Sequence, residues 1–96
     1  MKTIADFKAT LSADQPGDGW PAPLKSLWYD AKGDWNKAHA QVDQMGDAAA
    51  AWVHAYLHRK EGDLTNAGYW YRRAGKTLPV ITLTEEWVQL VSHFLK

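Results

Sequence analysis

The sequence predicts an all-α fold of about six helices. Apolar residues recur at intervals of three and four along most segments, which is typical of helices with one buried face. Residues that begin or end helices stand between these segments, and no segment shows the strict alternation of a strand. We therefore expect an N-terminal amphipathic helix, two helical hairpins and a C-terminal closing helix.

Length and composition indicate a single small domain. The 96 residues are 46% hydrophobic, enough for one core. Because no cysteine is present, disulfides, thiolate metal sites and cysteine nucleophiles are excluded. The net charge of zero removes the overall attraction that drives most binding to nucleic acids or anionic membranes. With no membrane span or signal peptide recognisable, we expect a soluble, cytoplasmic protein without a membrane partner.

The helix boundaries follow from capping residues and breakers. Thr3 and Asp6 predict a capping box for the first helix, and the loop "ADQPGDGWPAP" contains three prolines and two glycines. Pro23 opens the next helix, and Pro79 is expected to stop the fourth helix of the hairpins. The predicted parts are an N-terminal helix in 1–13, a linker loop in 14–23, the first hairpin in 24–50, the second in 51–79 and the closing helix in 80–96.

An internal repeat supports the two hairpins. "YDAKGDWNKA" (29–38) aligns without a gap with "HRKEGDLTNA" (58–67), and Gly33 and Gly62 are 29 positions apart (62 minus 33). Glycine at such a position ends a helix in the left-handed conformation, and the following Asp34 or Asp63 caps its successor. The last helix would begin at a threonine cap, either Thr82 or Thr84.

This repeat resembles the tetratricopeptide (TPR) helical hairpin. The second copy matches its pattern at Ala55, Gly62, Ala67, Tyr71, Ala74 and Pro79, although the spacing of 29 is shorter than the usual period of about 34 residues. Along the inward stripe of the helix that begins after Asp63, Leu78 is expected to follow Ala74. The string from Trp52 to Gly75 also resembles a group of small bacterial proteins of unassigned function. These resemblances imply a fold rather than a reaction.

Histidines supply one candidate site. His54 and His58 are one helical turn apart, Glu61 continues their face, and His39 with Asp43 could approach from the preceding helix. Such a set can hold a metal ion through imidazole and carboxylate ligands. The alternative is that the imidazoles form hydrogen bonds where helices pack.

Aromatic and basic residues supply another candidate site. Trp52, Tyr56 and Arg59 share one face of a helix, and rings beside an arginine commonly anchor a binding partner. Alternatively, Trp52 and Tyr56 meet the C-terminal helix that contains Trp87.

The next helix adds a basic surface. Trp70, Arg72 and Arg73 could grip a carboxylate or phosphate, and 54–76 holds five basic and two acidic residues. A solvated helix face is the alternative. A nucleic-acid partner is not expected, because no RNA-binding or DNA-binding motif accompanies this surface.

These features predict a protein-protein interaction module that binds an apolar or acidic segment of a partner in a groove beside Trp52, Tyr56 and Arg59. So few repeats also leave a large end surface, which favours homo-oligomers. The alternative is a small-molecule or metal site at His39, His54 and His58, with catalysis left open. No residue is assigned a catalytic role and no cofactor is predicted, because the sequence lacks a nucleophile elbow, an HExxH motif and a phosphate-binding glycine loop.

Overall fold

Within residues 1–95 the chain forms six α-helices and one 3-10 turn, joined by loops. The structure, a computed structural model, covers residues 1–95 in this description. The elements are α1 (Ile4–Ala9), the 3-10 turn (Thr10–Ser12), α2 (Ala22–Ala31), α3 (Trp35–Val42), α4 (Ala48–Glu61), α5 (Leu64–Arg73) and α6 (Leu83–Leu95). With no strand among residues 1–95, the all-α prediction is confirmed.

Two helical hairpins, α2 with α3 and α4 with α5, form at the predicted glycines. Gly33 and Gly62 have φ values of +85° and +91°, in the left-handed region that favours glycine. The residue after each glycine donates a backbone hydrogen bond of 3.0 Å to the carbonyl of Tyr29 or of His58. The repeated sequence therefore builds the same turn twice.

The predicted caps of three helices are present. Thr3 and Asp6 form the capping box of α1, with bonds of 3.1 and 3.2 Å. Asp34 and Asp63 each accept a hydrogen bond from the backbone three residues later, at 3.0 and 3.1 Å. These bonds satisfy backbone N–H groups that a helix leaves free at its N-terminus.

At α6 the structure distinguishes the two threonines proposed as caps. The Thr82 hydroxyl accepts from the Glu85 backbone at 3.1 Å, and the Glu85 carboxylate accepts from the Thr82 backbone at 3.0 Å. Thr82 is therefore the cap, and Thr84 lies inside the helix.

The boundary between the hairpins differs from the prediction. Helix α4 begins at Ala48, so the predicted division between residues 50 and 51 falls inside it. Asp47 accepts a hydrogen bond from Ala50 at 3.2 Å, and four consecutive alanines with high helix propensity follow this cap.

The end of α5 also differs. The helix stops at Arg73 instead of continuing to Pro79, because Gly75 adopts a φ of +75° and the Lys76 backbone donates to the Tyr71 carbonyl at 2.8 Å. As a consequence Leu78 is 45% exposed, and its predicted place in an inward stripe is wrong.

Helix α4 is the central element and contacts α2, α3, α5 and α6. Its packing explains the nearly continuous apolar composition of its first half. The largest fully buried apolar side chains are Trp28, Tyr71, Phe7, Leu27, Leu57 and Leu90. No helix within residues 1–95 combines the length and apolar character needed to cross a membrane.

Candidate functional site

Three histidines meet where α3 packs against α4, and we call His39, His54 and His58 the histidine cluster. The Nε2 atoms of His39 and His54 are 3.0 Å apart and share a hydrogen bond. One ring nitrogen from each of the three residues can be chosen so that all lie within 4.8 Å of one another. His54 and His58 are buried, and His39 is half-buried.

Two tryptophans enclose the cluster. The Trp35 ring stacks on His39 with a centroid distance of 4.9 Å, and the Trp70 ring stacks on His54 at 3.9 Å. The Trp35 indole also donates to the Leu57 carbonyl at 2.8 Å, which fixes its ring against α4. The imidazoles therefore lie in an aromatic setting with limited access for water.

A carboxylate orients His58. Its Nδ1 lies 2.7 Å from Glu61 Oε1, and the Asn66 amide nitrogen lies 3.4 Å from its Nε2. An imidazole that donates from Nδ1 to a carboxylate has its lone pair on Nε2. Histidines that bind metals commonly have such a carboxylate partner on the opposite nitrogen.

His54 contains a buried nitrogen without a partner. The residue is 3% exposed, and its Nδ1 has no hydrogen-bond partner among the described residues. An unsatisfied buried polar group costs about 1–3 kcal/mol, so most such atoms in proteins bind something. The other nitrogen of this ring, Nε2, is the one that shares a hydrogen bond with His39.

The electrostatics of the cluster favour neutral imidazoles. Burial, followed by the nearby His39 and His58, lowers the pKa of His54 to about 4. Burial is also the main cause that lowers the pKa of His39, with His58 next, while Asp43 and Glu61 act in the opposite direction. Both histidines are thus held in the form that binds metal ions.

The three residues of the predicted groove do not line one surface together. Tyr56 is 2% exposed and donates to Asp30 at 2.7 Å, so its hydroxyl faces the interior beside α2. Trp52 and Arg59 instead donate to the Glu86 carboxylate of α6, at 3.1 and 2.8 Å. Buried carboxylates on two different helices therefore draw these side chains to different places.

Glu86, like Asp30, is a buried carboxylate that the sequence did not reveal. It is 1% exposed and accepts hydrogen bonds from Trp52, Arg59 and, at 2.6 Å, the Tyr71 hydroxyl. Arg59 also donates to the Ile81 carbonyl. A signal was available, because Glu86 precedes the buried Leu90 by one helical turn and so lies on the apolar face of α6.

The basic residues of α5 remain at the surface. Arg72 and Arg73 are exposed and Trp70 is half-buried. The Arg73 guanidinium lies 5.3 Å from the Trp70 ring and 5.9 Å from the ring of Tyr69, which is 45% exposed. We call Tyr69, Trp70, Arg72 and Arg73 the α5 patch. Since Trp70 also stacks on His54, this patch adjoins the histidine cluster.

The chain matches no protein-family model, and it has no significant match among curated proteins or solved structures. Of the features described above, the histidine cluster has the most specific chemistry. Nitrogen ligands of this kind suit zinc, copper and nickel better than magnesium or calcium. Three protein ligands would leave a further coordination position for water or a small ligand.

Proposed function

We propose that this protein binds a divalent transition-metal ion, with zinc as the reference ion, through His39, His54 and His58. The observation that carries this proposal is the approach of one ring nitrogen from each residue to within 4.8 Å of the others. Ligand nitrogens of tetrahedral zinc are about 3.3 Å apart, given Zn–N bonds of about 2.0–2.1 Å. Small side-chain rotations would bring the three nitrogens to this spacing.

Two further contacts support the proposal. Glu61 holds His58 in the orientation that histidine ligands adopt, and stacking on Trp35 and Trp70 holds the rings of His39 and His54 in place. The hydrogen bond between His39 and His54 would be replaced by two metal–nitrogen bonds. The low pKa of His54 means that few protons would have to leave at neutral pH.

The metal proposal can be tested by calorimetry on protein that has been stripped with a chelator. Titration with Zn²⁺ should show about one site per chain, and saturating Zn²⁺ should raise the melting temperature. Co²⁺ can replace Zn²⁺ as a probe, because its d–d absorption bands report the coordination geometry. Its spectrum should be that of a tetrahedral site with nitrogen ligands.

Variants locate the site. His39→Gln and His58→Gln should each weaken binding by at least about tenfold, since each removes a ligand. His93→Gln is the matched control, because His93 is exposed and lies next to Trp52, outside the cluster. Absence of a zinc effect on melting, or an equal loss in the His93 variant, would overturn the proposal.

A second candidate function is capture of an acidic segment of a protein partner by the α5 patch. The supporting observation is the exposed Arg73 guanidinium beside the partly exposed rings of Tyr69 and Trp70, with the exposed Arg72 preceding it in α5. Such an arrangement fits carboxylates and apolar side chains together. Of the five basic residues in 54–76, Arg59 and Lys60 are paired with Glu86 and Asp30, whereas Arg72 and Arg73 form no ion pair within residues 1–95. The charge of these two arginines complements an acidic peptide. The interaction groove predicted from the sequence lies beside Trp52, Tyr56 and Arg59, and the α5 patch retains only its basic border, Arg72 and Arg73.

A fluorescein-labelled peptide of alternating glutamate and leucine is the probe for this surface. Replacing Arg72 and Arg73 by alanine should weaken its binding by about fivefold or more, from the loss of two partly exposed ion pairs. The matched control is the double replacement of Lys2 and Lys37, two exposed lysines outside α5. If both double variants lost the same peptide affinity, the effect would be one of net charge, and the α5 patch would be rejected as the binding site.

A further inference from the structure

A cavity that does not include the histidine cluster is formed by residues of α1, the 3-10 turn, α2, α4 and α6. Its volume is about 480 Å³, within the range of small-molecule sites in proteins. Leu11, Leu83 and Trp87 provide apolar lining. We call it the lysine cavity, because Lys8 and Lys60 also line it.

The polar groups of the lysine cavity leave a positive charge. Asp30 is 4% exposed, and both of its carboxylate oxygens are occupied, one by the Tyr56 hydroxyl at 2.7 Å and the other by Lys60 Nζ at 2.8 Å. An ammonium group has three hydrogens to donate, so Lys60 keeps donors for another acceptor. Together with the exposed Lys8, the lining contains two cations against one satisfied anion.

We propose that the lysine cavity binds a small monocarboxylate with an apolar body. The apolar part would lie against Leu11, Leu83 and Trp87, and the carboxylate would pair with Lys8 and Lys60. An inorganic anion would leave the apolar walls uncovered, and an amine would face two ammonium groups. The cavity therefore selects both the charge and the apolar character of its ligand.

Three probes of nearly equal shape test this charge preference. The full chain, in a chelating buffer, is titrated separately with three compounds while ¹H–¹⁵N spectra are recorded. The compounds are 3-phenylpropionate, 3-phenylpropanamide and 3-phenylpropylamine. The Trp87 indole N–H, which donates to the Leu27 carbonyl at 3.2 Å, should shift and saturate with the carboxylate. The amide should bind about fivefold more weakly, and the amine should cause no shift.

The result that overturns the proposal is equal binding of carboxylate and amide, preference for the amine, or no saturable Trp87 shift up to about 10 mM carboxylate. Because the chelator keeps metal out of the histidine cluster, this outcome is independent of the metal proposal.

Variants connect the charge to the cavity. Lys8→Gln should weaken carboxylate binding about fivefold and leave amide binding unchanged, whereas Lys37→Gln, the same change on an exposed residue of α3, should alter neither. Ala31→Trp should block the cavity and abolish binding of both probes, since Ala31 is exposed and lines the cavity. Equal effects of the two lysine variants, or full binding to the Ala31→Trp variant, would contradict the assignment.

Discussion

At the scale of single residues, buried polar groups determine where the aromatic side chains lie. Glu86 accepts from Trp52, Arg59 and Tyr71, so a single carboxylate joins α4, α5 and α6. Such a group needs all its partners, because a buried charge that loses a donor keeps its desolvation cost. Glu86 therefore stabilises the fold only while its donors are present, and loss of one donor should destabilise it.

Removal of one donor from Glu86 should be measurable in stability. We expect Tyr71→Phe to lower the free energy of unfolding by about 1.5–3 kcal/mol, the contribution of a hydrogen bond to a charged group. Tyr69→Phe is the control, since the Tyr69 side chain is exposed and its hydroxyl meets only Arg73 among the described partners, and it should change stability by less than about 0.5 kcal/mol. Urea unfolding of the two variants compares them directly, and similar losses would argue against the role of Glu86.

At the scale of elements, the turns of the hairpins depend on backbone conformation. Gly62 has a φ of +91°, and a Cβ atom added there would meet nothing within 4 Å. Gly62→Ala should therefore cost about 1–2 kcal/mol from the left-handed conformation alone.

Gly46→Ala is the matched control for this backbone effect. Gly46 is not among the glycines with positive φ, and an added Cβ would make only an ordinary contact with Arg73 at 3.9 Å. Thermal or urea unfolding should show a loss for Gly62→Ala and little change for Gly46→Ala. A tolerated Gly62→Ala would mean that this turn does not need the left-handed conformation.

Among the elements, the turns of the hairpins could be predicted from the sequence. Gly33, Gly62 and the aspartates after them act within a few residues, so local rules located both turns. Pro79 was expected to end α5, yet Gly75 does so earlier because its left-handed conformation closes the helix before the proline is reached.

Features that depend on packing were harder to predict. The approach of His39 to His54 requires α3 to lie across α4, which residue spacing alone allowed without requiring. The predicted face of Trp52, Tyr56 and Arg59 was divided because Asp30 and Glu86 come from different helices.

At the scale of the whole molecule, burial of His54 links stability to pH in the metal-free protein. Its pKa is about 4 in the folded chain, against an ordinary value of 6.5. The unfolded chain therefore takes up a proton at a higher pH than the folded chain does. Stability from this residue is fully present above pH 6.5 and is lost as the pH falls towards 4.

Urea unfolding in a chelating buffer at about pH 7.5 and about pH 5 tests this linkage. The loss of stability between these values should be smaller in His54→Gln than in the unchanged protein, because the variant lacks the titrating group. His93→Gln, in which the exposed histidine is replaced, should retain the full loss. Identical pH dependence in the His54 variant and the unchanged protein would contradict the assignment.

The division of the histidine cluster between hairpins has a consequence for how the two are coupled. His39 belongs to the first hairpin and His54 and His58 to the second, so neither hairpin alone carries all three nitrogens. An ion held by all three would bridge the hairpins like a removable crosslink. Binding of the ion and packing of the first hairpin against the second would then be coupled in one equilibrium. Backbone hydrogen exchange in α3 should therefore slow as the ion concentration rises.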